Sequence, residues 1–304
     1  MSLGAQEWQL FDLITLQGLV AHTRGQWFER LELEMRRGVK RPGMAARIFD
    51  SHLCVAEYLL YGPTPHRDVV ELASELRDTA ERAGVLRAVA FATALRGGAA
   101  FLMGDLDYAA GELHEAVDLH RDLGSTAGEA HSLQRLAEVH LALGERAEAN
   151  RLLRRALPLA RFSSIPLHIL VRVYGTLVTA APNPEAARDA VDHAEAALGA
   201  DDHCPFCSVT FAVPAAKACA DVGDLQHAQQ HLEMAERSAL RWEGTAWQAA
   251  LVEVRAHLAA ARGAREAAVR CWAEAAELFD AAGQPLDARR CYDRVAGQPT
   301  GRLR

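Results

Sequence analysis

Gly104-Asp105-Leu106-Asp107-Tyr108-Ala109-Ala110-Gly111-Glu112-Leu113-His114-Glu115-Ala116 is the stretch on which the fold is read. It opens with a glycine followed by an acid. It continues into an Ala–x6–Ala pair, Ala109 and Ala116, with Leu113 between them. Glycine supplies the left-handed backbone that ends a helix, and an acid suits the N-terminus of the next one. Alanines at i and i+7 share one helix face two turns apart, and small side chains there let two helices approach closely. The stretch therefore predicts a chain break followed by the second helix of a helical hairpin.

The same triplet returns as Ala149, Leu153, Ala156; as Ala187, Val191, Ala194; as Ala228, Leu232, Ala235; and as Ala268, Trp272, Ala275. Its first alanine recurs at spacings of 40, 38, 41 and 40 residues. One such triplet arises by chance in an Ala-rich chain, but five in constant phase mark an internal repeat. Gly144, Gly223 and Gly263 keep the phase of Gly104, five residues before their triplets, while Pro182 takes that place in the third repeat. Apolar segments of helical period precede the breaks, at 88–103, 128–143, 168–181, 206–222 and 247–262. Upstream, Ala73 and Ala80 form a related pair after the loop Gly62-Pro63-Thr64-Pro65. No helical pair can bury its apolar face alone, so the pairs must stack. The expected architecture is all-α: one solenoid over 1–304, with hairpins at 6–37, 45–83 and through 88–285, and a closing helix at 286–296.

Composition supports this reading. Half of the 304 residues are hydrophobic but only 6% are aromatic, so the apolar mass is Ala, Leu and Val, which suits helices. The net charge of −7 makes the chain a poor default binder of nucleic acid or anionic membrane. No apolar run reaches the ~18 residues of a membrane span. Met1-Ser2-Leu3-Gly4 lacks the basic and apolar regions of a signal peptide. Six cysteines are too sparse for a disulfide scaffold. A cytoplasmic setting is expected. Neither a phosphate-binding loop, a nucleophile elbow nor a dinucleotide fingerprint occurs, so an interaction protein is expected rather than an enzyme.

The phase Gly97…Gly104-Asp105-Leu106…Ala109…Leu113…Ala116 resembles the tetratricopeptide repeat, and so does Leu136-Ala137…Gly144-Glu145…Ala149…Leu153…Ala156. The period near 40 is longer than the ~34 residues of that family. The resemblance implies a right-handed superhelix. Long-period repeats of this kind are also similar to the helical arms of large ATP-dependent LuxR-type transcriptional regulators. The stretch Leu278-Phe279-Asp280-Ala281-Ala282-Gly283-Gln284-Pro285-Leu286 looks like the close of such an arm. This likeness implies an arm without the motor and without the DNA reader, acting in signal transduction or transcription regulation.

In the repeat family the first helix of each hairpin lines the concave surface. The resemblance implies inner-face positions at His52, Phe91, Phe101, His131, Gln134, Glu138, Arg172, Thr176, Lys217, Glu253 and His257. Polar and charged residues mixed with two phenylalanines suit a protein or peptide ligand, or a small inducer. No direct nucleic-acid or membrane contact is expected, and exposed terminal repeats would allow a homodimer.

Asp201-Asp202-His203-Cys204-Pro205-Phe206-Cys207 is the most unusual segment. Pro205 fits a first helical position, which would make Cys204 the cap and place Cys207 in the first turn. Three readings stay open: a redox pair, a zinc site in which His203 or His193 assists Cys204 and Cys207, or two small apolar side chains packed between hairpins. Zinc is the one cofactor this leaves possible. His227 and His231, four residues apart on a second helix, lack the intervening Glu of a metalloprotease motif and read as solvated.

Overall fold

The computed structural model describes residues 40–43, 45–46, 53–199, 204–242 and 244–297. The expected hairpin at 6–37 and the residues His52 and His203 lie outside them. Helices α1 (Leu53–Tyr61) and α2 (His66–Ala83) form the first described hairpin. The pairs α3 (Leu86–Leu102) with α4 (Leu106–Asp122), and α5 (Thr126–Ala142) with α6 (Arg146–Arg161), follow. Then come α7 (Pro166–Thr179) with α8 (Pro184–Leu198), α9 (Val209–Asp221) with α10 (Leu225–Ala239), and α11 (Ala246–Ala261) with α12 (Arg265–Ala281). Helix α13 (Pro285–Ala296) closes the series. The helices of each pair pack together, and first helices stack on first helices, α5 on α7, α7 on α9 and α9 on α11. The chain is thus an all-helical, TPR-like stack of hairpins.

The glycine–acid break works as its chemistry predicts. Gly104 has φ +84°, its N–H bonds the Phe101 carbonyl, and the Asp105 N–H reaches back to Ala100 at 3.0 Å. This left-handed turn satisfies the last carbonyls of α3. Asp105 Oδ1 then accepts from the Tyr108 N–H and caps α4. Gly223 and Asp224 repeat the device, with Asp224 Oδ1 accepting from the His227 N–H. In the third repeat Asn183 Oδ1 accepts from Ala186 N at 2.8 Å, ahead of Pro184 at the first helical position. Ala109, Ala149 and Ala228 are all fully buried in equivalent positions, while Ala187 of the third repeat is partly buried.

The first helices are buried almost all round. In α3 burial runs from Ala88 to Leu95 without a break. Such a helix has no polar face to present. Between α7 and α9 the two backbones approach closely at Gly175. Pro214 has no N–H to give to the Thr210 carbonyl one turn earlier, and that carbonyl lies against Gly175, where a Cβ would sit 2.2 Å from it. Gly175→Ala therefore forces two backbones apart and is expected to cost at least the ~1–3 kcal/mol of an overpacked core. Gly111, on the exposed face of α4, has nothing within 4 Å of a Cβ. Gly111→Ala is expected to stabilise by about 0.5–1 kcal/mol. Urea unfolding of the two variants reads both signs.

The described part of the stack curves until its first hairpin meets its last helices. The Tyr61 and Trp247 rings stack at 4.7 Å between centroids, and Tyr58 faces Trp242 at 6.5 Å. The His66 ring lies between the carbonyls of Leu60, 2.8 Å from Nε2, and Gly283, 3.3 Å from Nδ1. Among the described residues no helix is long and apolar enough to cross a membrane.

Candidate functional site

Curvature brings α1, α3, α5, α7, α9, α11 and α13 around a cavity of about 450 Å³. Two charged centres sit at its wall. In the first, Glu57 of α1 is wholly buried, accepts from His131 Nε2 at 2.8 Å and Arg135 Nη2 at 2.5 Å, and is ion-paired with Arg172 Nη1 at 2.8 Å. Burial alone would push the Glu57 carboxyl up. The guanidinium groups of Arg135 and Arg172, with the His131 hydrogen bond, outweigh it and hold the carboxyl far below the usual range. Arg135 also donates to the Tyr61 hydroxyl at 2.7 Å and to Glu138 at 2.9 Å.

The second centre is Glu253 of α11. Lys217 Nζ lies 3.1 Å from its Oε2, and Arg290 of α13 grips it in a fork at 2.9 and 2.8 Å. Burial again opposes ionisation, and the charges of Lys217 and Arg290 overcome it, so this carboxyl too is held far below its ordinary range.

Between the centres the walls are apolar and amide. Gln134 donates from Nε2 to Thr176 Oγ1 at 2.8 Å. Its Oε1 has no partner, and neither do Gln284 Nε2, Trp247 Nε1, or the Nε atoms of Arg135 and Arg172. All five belong to residues that line the cavity. A buried polar atom without a partner costs about 1–3 kcal/mol, so the residues of this wall hold unmet hydrogen-bonding capacity.

Of the inner-face positions expected from sequence, Phe101, Gln134, Glu138, Arg172, Thr176, Lys217 and Glu253 line the cavity. Three do not. Phe91 is 1% exposed in the hydrophobic core, because α3 is apolar all round and its helical phase does not say which side faces inward. His131 is turned onto Glu57. His257 bonds Asp221 Oδ1 through Nδ1 at 2.6 Å and meets the Trp272 ring edge-on. Tyr61, Arg135, Trp247, Phe279, Gln284 and Arg290 line the cavity without having been expected. Arg135 carried a signal, since it adjoins Gln134 on α5. The others arrive by end-to-end curvature, which periodicity does not encode.

The Cys-x-x-Cys segment lies outside this lining. Cys207 is buried, Cys204 half-buried, and neither is in a disulfide. Contrary to expectation, regular helix begins at Val209 rather than at Pro205. A turn precedes it, in which the N–H groups of Cys207 and Ser208 both bond the Cys204 carbonyl at 3.0 Å. His168 of α7 brings Nδ1 to 3.4 Å from Cys207 Sγ, and Arg172 Nη2 lies 4.0 Å from the same sulfur. Burial would lower the His168 pKa, but hydrogen bonds to the sulfurs of Cys204 and Cys207 raise it to about 10. His193 is exposed on α8, edge-on to the Tyr174 ring. The repeat held a clue to His168, which stands 39 residues before Cys207, one hairpin back. His231 is not solvated as expected. It packs edge-on against Phe211 at 5.6 Å, and burial pushes its pKa down to about 4.

No protein-family model matches the chain, and no curated protein matches its sequence. Among solved structures, the chain is similar in fold to a Rap protein, crystallised in complex with competence and sporulation factor. The likeness has a TM-score of 0.57 at 12% identity and covers 90% of this chain and 79% of that one.

Proposed function

We propose that this chain is a non-catalytic receptor for a short peptide held in the groove, acting in signal transduction or transcriptional control. The observation that carries the reading is the mixed lining of the cavity, in which the polar side chains of Gln134, Thr176 and Gln284 stand among the rings of Tyr61, Phe101 and Trp247. A peptide supplies the complement of such a wall, backbone amides for its polar groups and side chains for its rings. The cavity's 450 Å³ lies within the ~300–1,000 Å³ usual for small-ligand sites, too narrow for the face of a folded partner. The Rap structure in the same fold holds a bound factor. The regulatory setting accords with the resemblance of the repeats to the arms of LuxR-type regulators. Ligand contacts to α5, α11 and α13 would join distant parts of the stack and favour its closed curvature.

The test is selection of short peptides from a random library on the purified chain, with binding followed by Trp fluorescence. Trp247 at the wall makes the signal sensitive to occupancy. Gln134→Ala is expected to weaken selected peptides about 3–10-fold, the worth of one ordinary hydrogen bond. Ala250→Trp, which fills the cavity, is expected to abolish binding. Selected peptides that bind wild type and Ala250→Trp alike would contradict the proposal. Selection of no peptide, with a small polar molecule bound instead, would also overturn it.

A further inference from the structure

Away from the groove, a helix and a turn from successive hairpins bring three soft donors together. A ring nitrogen of His168 on α7 and the sulfurs of Cys204 and Cys207 all lie within 4.8 Å of one another. We propose that these three atoms form a binding site for a zinc-class divalent cation, with the fourth tetrahedral position left to water or an exogenous ligand. The inference is independent of what the groove binds.

Geometry is the first support. Zinc takes Cys sulfur at about 2.3 Å and His nitrogen at about 2.0–2.1 Å in a tetrahedron, which sets nitrogen and sulfur roughly 3.6 Å apart. His168 Nδ1 and Cys207 Sγ are 3.4 Å apart. The cysteines have the C-x2-C spacing with which one turn grips zinc from one side.

Preorganisation is the second. The turn between the cysteines is pinned at Phe206, whose carbonyl accepts from Trp242 Nε1 at 3.1 Å and Ser238 Oγ at 3.2 Å. Little ordering is left for the metal to impose. Arg172 Nη2, 4.0 Å from Cys207 Sγ on a side chain 3% exposed, places a fixed positive charge beside that sulfur. Outer partners of this kind orient and tune a metal's ligands. With both sulfurs as thiolates and His168 neutral, the ligand charge cancels that of the cation, and the displaced protons pass to solvent. The cation would clamp α7 to the turn that leads into α9.

The experiment uses the full chain, reduced, stripped with chelator, and titrated with Co²⁺ as the probe. The expected result is one cobalt per chain, with a near-ultraviolet sulfur-to-cobalt charge-transfer band and the strong visible bands of tetrahedral coordination. One equivalent of Zn²⁺ removes both. Cys204→Ser with Cys207→Ser abolishes the spectrum, and His168→Gln weakens cobalt binding about ten-fold or more. Far-ultraviolet circular dichroism monitors folding. If the double variant loses helicity, Cys204→Ser alone, at the half-buried position, is read instead. Three results overturn the proposal: wild type without the charge-transfer band, a band that survives the serine variants, or undiminished affinity in His168→Gln. A reduced chain that oxidises to a Cys204–Cys207 disulfide but takes up no cobalt overturns it equally.

Discussion

Replacing Glu57 by alanine is expected to lower the stability of the chain by about 3–5 kcal/mol, the cost of stranding buried charge. Glu57 is the shared counter-ion of Arg135 and Arg172, whose side chains are 2% and 3% exposed. Without it two guanidinium groups stay buried with their shared counter-charge gone. Arg135 retains only Tyr61 and Glu138. Glu57→Gln keeps the shape but loses the charge, and should cost nearly as much. Conversion of Glu57, Arg135 and Arg172 together to methionine should recover much of the loss, because a buried ion network specifies an arrangement more than it stabilises one. Urea unfolding followed by circular dichroism at pH 7 measures all three.

The same carboxyl gives an acid signature. Its pKa is depressed in the folded chain, so its contribution is complete above the unfolded value of about 4.3 and is lost as pH falls below it. Glu57→Gln should lack that part of the acid slope. Burial pushes His120 down to about 3 and His231 down to about 4. The unfolded chain takes up those protons near pH ~6.5, so stability begins to fall there in wild type and variant alike.

The second large effect is expected at Glu253. Its loss leaves Lys217 without its carboxylate and removes the fork that ties α13 to α11. Glu253→Ala is expected to cost about 3 kcal/mol, at the lower end for a broken buried pair because the Arg290 side chain is 45% exposed and partly screened. The damage should be local to the closing helix. Cys291 reports it: the thiol is fully buried in α13, and burial pushes its pKa up to about 12. In Glu253→Ala that thiol should react with a maleimide much faster than in wild type. Arg151→Ala serves as the control, because Arg151 pairs with Glu148 on the exposed face of α6 and should leave both stability and thiol reactivity unchanged.

What was legible in the sequence follows from range. Gly104 with Asp105, or Gly223 with Asp224, acts within one turn, so the helix boundaries could be read from a handful of residues. The alanine pairs act between neighbouring helices, one repeat apart at most, and spacing alone indicates their burial at every position but Ala187, which is half-buried. The polar centres act over much longer separations. Glu57 lies 78 residues from Arg135, and His66 lies 217 from Gly283. Such meetings depend on curvature summed over several hairpins, which no local pattern carries. His131 and Arg172 were therefore placed near the groove but not recognised as partners of one buried carboxylate. Phe91 was misplaced for another reason: a helix buried on every side offers no polar stripe to orient it. In the proposed cation site the histidine, His168, comes from one hairpin back rather than from the chain beside the cysteines.

The claim on which the account rests is that a peptide lies inside the closed turn of the stack, between Gln134 and Gln284. Photo-crosslinking with a selected peptide carrying a benzophenone side chain, followed by mass spectrometry, tests it most directly. Attachment is expected at wall residues such as Leu141, Thr176, Val213 and Trp247. Attachment confined to the outward faces of α4, α6 and α10, with the wall unlabelled, would contradict it.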